Sequence, residues 1–290
     1  MDGPPPLVQY LPPGGNNWCS VVGVRSGISA ESRAALATLT GYGRRFVTVS
    51  DVVQSLHVDR QQAARRLARW AEQGWLRRVR RDLYVPVPVD ALNPEAWSED
   101  PLVLASAVWD PCYVTGWTAA NHWGMSEQVF RTTVIKTTQR VRQSSQRLLD
   151  NDFLLTYTSP ESLTWGMHQE WRAERRIRIA DPARTVVDLL ADLRLGGGAR
   201  LAAEVLSAYL EEHDPSRLIQ YGDRVSNRAM FKRLGFLGEH VGADAALLAE
   251  CETRLSAGFP LLDPTQPRQG VRSARWRLVV NVRLGDVETS

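Results

Sequence analysis

Between residues 31 and 85 the apolar positions recur first at helical and then at strand spacing. Ala34, Ala35, Leu36 and Leu39 mark a first helix from Glu31, which the glycines of Gly41-Tyr42-Gly43 stop. Thr48 with Asp51 three positions on has the form of a capping box and opens a short second helix through Val52, Val53 and Leu56. Asp59 with Gln62 repeats that signature and opens a longer third helix, which runs to Gln73 and ends at Gly74. From Trp75 to Val85 the pattern shortens to two strands around a tight Arg81-Asp82 turn, closed by Pro86 and Pro88. Three helices followed by a hairpin predict a winged helix-turn-helix over residues 31–90.

The flanks read differently. Residues 1–30 carry Pro4 to Pro6 and Pro12-Pro13-Gly14-Gly15-Asn16-Asn17, which disfavour helix and strand alike, so a poorly ordered arm is expected there. From residue 91 to 290 the pattern is mixed. Helices are expected at Pro101 to Trp109 and Trp117 to Trp123, and strands within Val129 to Thr137 and Phe153 to Thr158. Asp181-Pro182 places an N-cap before a proline at the first helical position, and Val186, Val187, Leu189 and Leu190 continue that helix towards Gly196-Gly197-Gly198. Further helices are expected at Ala199 to Glu212 and around Ala229 to Leu234, with a late strand at Trp276 to Val282. The fold class is therefore α+β: a winged helix-turn-helix, then a larger mixed domain. The longest nearly apolar run, Pro101 to Trp109, is far short of the roughly 20 residues of a membrane helix. No basic leader precedes an apolar stretch at the N-terminus, so a cytoplasmic protein with no membrane partner is expected.

Charge sharpens this picture. Residues 31–85 hold eleven Arg, no Lys and five acids in a chain whose whole net charge is only +3, so the remainder is net acidic. Basic charge gathered in one small segment suits a polyanion, because each neutralised phosphate releases condensed counterions. On a helical wheel the third helix turns Ala63, Leu67, Trp70 and Ala71 to one side and Gln61, Gln62, Arg65 and Arg69 to the other. Arg can pair bidentately with guanine and Gln with adenine in a major groove, which makes Gln61, Gln62 and Arg65 candidate base readers. Arg44 and Arg45 ahead of the second helix, Thr48 at its start, and Arg66 and Arg69 are candidate DNA contacts; Arg44, Arg45 and Arg66 suit phosphates better than bases. In the wing, Arg77, Arg78, Arg80 and Arg81 are candidates for a phosphate backbone or an adjacent minor groove. Arg131, Lys136, Arg140, Arg142 and Arg147, with no acid among residues 131–147, make a second candidate surface, for which a merely solvated hairpin is the equal alternative.

Other chemistries lack their residues. The two lysines, Lys136 and Lys232, follow no phosphate-binding glycine run, and Val134-Ile135-Lys136 has no glycine-rich loop before it or Asp-Phe-Gly after it, so Lys136 is expected at the surface of a strand. His57, His122, His168, His213 and His240 are scattered, and Cys19, Cys112 and Cys251 are widely spaced and odd in number. Reduced core thiols, no metal, no cofactor and no enzymatic activity are the expectation.

Several stretches resemble the AbiEi-type antitoxins of bacterial toxin–antitoxin and abortive-infection operons. They are Phe46-Val47-Thr48, Gly74-Trp75-Leu76-Arg77-Arg78 and Leu83-Tyr84, followed in the same order by Tyr113 to Ala120, Asp181 to Leu190, the triple glycine, and Arg233 to Leu237. Ala183 departs from the glutamate common in that family, and residues 1–30 have no counterpart. The resemblance implies an operon-autoregulating repressor that binds inverted repeats in its own promoter, with two protomers per operator. It also implies a nucleotidyltransferase-like toxin as partner. The alternative is a protein-interaction module whose winged helix touches the toxin without specific DNA binding.

Overall fold

A computed structural model describes residues 27–41, 45–91, 93 and 96–285. Most of the Pro/Gly-rich arm, Cys19, Tyr42, Gly43 and Arg44 lie outside the described residues. The N-terminal helices are α1 (Ala30–Thr40), α2 (Val49–Leu56) and α3 (Arg60–Glu72), followed by strands β1 (Leu76–Arg80) and β2 (Leu83–Pro86). Their ends are set by caps. Both bonds of the Thr48–Asp51 capping box form, with the Thr48 hydroxyl accepting from the Asp51 amide at 3.2 Å and the Asp51 carboxylate from the Thr48 amide at 2.8 Å. Asp59 accepts from the Gln62 amide at 2.8 Å and starts α3. Leu39, Val47, Val52, Leu67, Trp70, Leu76 and Tyr84 close a small core, and Val47 forms an isolated antiparallel bridge to Tyr84 of the wing.

The remainder is built on a six-stranded mixed sheet in the order β5-β6-β4-β3-β8-β7. Its strands are β3 (Cys112–Val114), β4 (Thr132–Thr137), β5 (Ser145–Leu148), β6 (Asn151–Tyr157), β7 (Met167–Arg172) and β8 (Arg175–Ala180). Neighbouring residues on a strand point to opposite faces, and here both faces are buried. Ile135 and Cys112 join the core that contains α4 (Pro101–Trp109), whereas Val134 joins the core beneath α6 (Pro182–Ala191) and α7 (Ala199–Glu212). Helices α8 (Ser216–Gly222), α9 (Ala229–His240) and α10 (Ala245–Thr253) complete that layer, with a last hairpin of β9 (Val271–Ser273) and β10 (Leu278–Val280).

Two glycines show why the family-like stretches have their composition. Gly116, the first residue of α5 (Gly116–His122), has φ +61°, and a Cβ there would stand 2.2 Å from the Leu195 carbonyl oxygen. Gly235 lies against the buried Trp276 ring, 2.0 Å from where its Cβ would be. Asp181 caps α6 by accepting from the Arg184 amide at 2.8 Å, and Ala183 is buried in the first turn of that helix. The late strand is shorter than the pattern predicted: Trp276 lies in the turn, anchored by its indole N–H on Glu239 at 2.6 Å. Cys112 and Cys251 are buried and unpaired. Among the described residues no helix is long and apolar enough to cross a membrane.

Candidate nucleic-acid interface

Burial of Ala63, Leu67 and Trp70 fixes the rotation of α3 and leaves Gln61, Gln62, Arg65 and Arg69 exposed on its outer side. The side chains of these four make no hydrogen bond or ion pair with the described residues. Arg66 lies at the flank, 3.9 Å from Glu31 of α1. Thr48 is exposed only in part, its hydroxyl engaged in the α2 cap.

The tip of the wing holds this surface together. Asp82 adopts φ +65° in the β1–β2 turn and accepts from the Val49 amide at 3.0 Å, which caps the first turn of α2. Arg60, at the start of α3, lies 3.6 Å from the same carboxylate. Wing tip and both helix N-termini therefore meet at one end of the domain, where Asp51, Asp59 and Asp82 supply the capping carboxylates.

The four wing arginines divide. Arg78 and Arg81 are exposed. Arg77 instead donates to the Trp97 carbonyl and to Asp150 at 3.2 Å, and Arg80 donates to the Val108 carbonyl at 3.0 Å. Strand register explains Arg77: it pairs with Val85, on the face that packs against α4. Arg45 is held in the same direction by Glu99, at 3.1 Å, a carboxylate that is itself buried. These three arginines contact the C-terminal part of the molecule, while Arg45 and Arg80 also remain exposed.

The second candidate surface separates as well. Lys136 is not a surface residue: its ammonium donates to Asp188 at 2.9 Å beneath α6. The Asp188 carboxylate also accepts from Tyr113 at 2.9 Å, Thr115 at 2.8 Å and Arg184 at 3.1 Å, and Arg184 stacks on Trp165, its guanidinium carbon 3.3 Å from the ring centroid. Burial alone would raise the pKa of Asp188, but the two cations and the donated bonds override it and bring it down to about 2. Burial comes first for Tyr113 too, and with Asp188 beside it pushes the phenol well above its usual range. This is a buried cluster in which one carboxylate faces two cations. Arg147 is paired with Asp150 at 3.4 Å, and Arg131 lies at the opposite end of β4 from Arg140, about 20 Å away along the strand. Arg140 and Arg142 remain exposed in the loop after β4.

Three capped helices, a hairpin folded back on two helix N-termini and an exposed Gln/Arg strip define a winged helix-turn-helix protein with an α+β body. Residues 36–87, from the middle of α1 to the end of the wing, match the family model described as "Transcriptional regulator, AbiEi antitoxin". Among solved structures the chain is similar to the RV2827C protein from Mycobacterium tuberculosis, with a TM-score of 0.58 and 16% identity over 86% of this chain and 90% of that one. At that identity the likeness is one of fold, and it extends through the C-terminal body. No curated protein matches.

Proposed function

We propose that the protein is an antitoxin that represses its own toxin–antitoxin operon in the cytoplasm, reading inverted repeats in its promoter through α3. The observation that carries this reading is the exposed strip of Gln61, Gln62, Arg65 and Arg69 on α3, in a segment that matches a transcriptional-regulator family. Gln61, Gln62 and Arg65 are the base readers; Arg66, Arg69, Arg78 and Arg81 hold phosphates. Two protomers occupy one operator, and the α+β body counteracts a nucleotidyltransferase-like toxin. A reporter driven by the upstream region tests repression: the wild-type chain silences it, and Arg65→Ala/Arg69→Ala restores expression at equal protein level. A reporter indifferent to the wild-type chain contradicts repression. Rescue from the toxin that persists in this variant separates the two activities, and loss of both supports a winged helix that contacts the toxin instead.

A further inference from the structure

The six-stranded sheet ends on β7, whose outer side pairs with no other strand among the described residues. An open edge presents unpaired N–H and C=O groups, and proteins commonly blunt such edges with a proline, a bulge or a very short strand. β7 has none of these. Its six residues contain no proline and pair with β8 without a break from Arg172↔Arg175 to Met167↔Ala180. Trp171 stands on this edge 73% exposed, and His168 and Gln169 are exposed beside it.

The direction of each peptide group follows from the hairpin. Ala173 and Glu174 both have positive φ, which makes a two-residue turn closed by a hydrogen-bonded Arg172–Arg175 pair. Bonded pairs then recur at every second residue, and at the far end the Asp181 amide donates to the Gly166 carbonyl at 3.0 Å. The even-numbered residues of β7 therefore bond to β8, and the amides and carbonyls of Met167, Gln169 and Trp171 point outward.

A second copy of this strand can pair antiparallel only where outward groups meet outward groups, so the two-fold axis must pass through a residue and not between two. Centred on Gln169, it sets Met167 against the partner's Trp171. It also sets His168 against the partner's Glu170, in the more closely spaced, non-hydrogen-bonded kind of pair. Centred on Glu170 it would oppose two carboxylates, and on His168 two imidazoles. Centred on Met167 or Trp171 it would run off the strand within three residues.

We infer that β7 is a dimerisation edge, through which two copies of this chain join their sheets in the Gln169-centred register. The inference names a contact for the two protomers that the reading above places on one operator. It does not depend on DNA and is tested without it, so its failure leaves sequence reading by α3 untouched.

Sedimentation equilibrium of the full chain over a concentration series should show a monomer–dimer equilibrium. Gln169→Pro should abolish the dimer. The ring removes an outward N–H that β8 does not use, so the monomer should keep its urea midpoint. Trp171→Ala should weaken dimerisation at least about tenfold. Mild oxidation in a Cys19→Ser background reads the register. Gln169→Cys places two thiols on the axis with roughly 5.5 Å between their Cα atoms and should give a disulfide-linked dimer. Trp171→Cys leaves them roughly 14 Å apart and should give none. A wild-type chain that stays monomeric throughout the series overturns the inference, as does a dimer that survives Gln169→Pro or cross-links through Trp171→Cys. A monomeric wild type whose rescue from the toxin is lost in Gln169→Pro assigns the edge to a strand of a protein partner and also overturns it.

Discussion

Asp188 is the residue on which most of the buried charge depends. It compensates both Lys136 and Arg184, so the cluster carries one more cation than anion. Asp188→Asn leaves two buried cations without a counter-charge and should cost about 3–5 kcal/mol in urea unfolding. Lys136→Met leaves the Arg184–Asp188 pair balanced and should cost under about 2 kcal/mol. The reverse order would show that Lys136, not Asp188, organises the cluster. The pH dependence has a definite sign. The folded pKa of Asp188 lies below its ordinary 3.8, at about 2, so its contribution is present above 3.8 and is lost as pH falls from there towards about 2. Urea midpoints measured through that window should fall for the wild type and show a smaller fall in Asp188→Asn. Lys136 was misplaced from sequence because its partner lies 52 residues away on another element; the apolar neighbours Val134 and Ile135 were the available signal that the strand is covered on both faces.

Asp82 makes a second local prediction. It supplies a cap to α2 while occupying a left-handed backbone position, which a non-glycine residue other than Asn or Asp tolerates poorly. Asp82→Ala should lose about 2 kcal/mol, from the cap and the backbone together, and Asp82→Asn under about 1 kcal/mol. Asp82→Asn also removes an acid from the wing tip and should tighten binding to any duplex; equal or weaker binding would place the wing tip away from DNA.

At the scale of elements, the wing is covered on both faces. Leu76 and Tyr84 belong to the helix-turn-helix core, while Val79, Leu83, Val85 and Phe46 belong to the core that holds α4 and the sheet. A hairpin shared by two cores couples them, so urea unfolding followed by circular dichroism and by tryptophan fluorescence should give one coincident transition. Leu83→Ala should lower it by about 2–5 kcal/mol without splitting it. Two separated transitions would mean that the winged helix is only tethered. Helices α2 and α3 were legible because caps are local signals: the Thr48–Asp51 and Asp59–Gln62 spacings name their own ends. The β7–β8 hairpin was not anticipated. Ile177 and Ile179 do alternate with arginines, but its turn is Ala173-Glu174, without the Asn-Gly or Asp-Gly signature of a tight hairpin, and β7 is a polar edge strand. Strand β3 has three residues and β5 reads Ser-Gln-Arg-Leu, both too short or too polar to show a period.

At the scale of the whole molecule, the wing tip meets the N-termini of α2 and α3, while Arg45, Arg77 and Arg80 link the winged helix to the C-terminal part. The basic segment was readable from sequence as a concentration of arginine, but its division into free and docking side chains was not, because that depends on which face the C-terminal body covers. The central claim is that α3 reads sequence. The measurement that tests it most directly is fluorescence anisotropy of the full chain with its own upstream DNA and with a scrambled duplex, across salt, beside Arg65→Ala/Arg69→Ala. The account predicts tight, upstream-preferring binding with a steep salt slope, and a variant that has lost the preference. Equal, weak binding to both duplexes, unchanged in the variant, would contradict it.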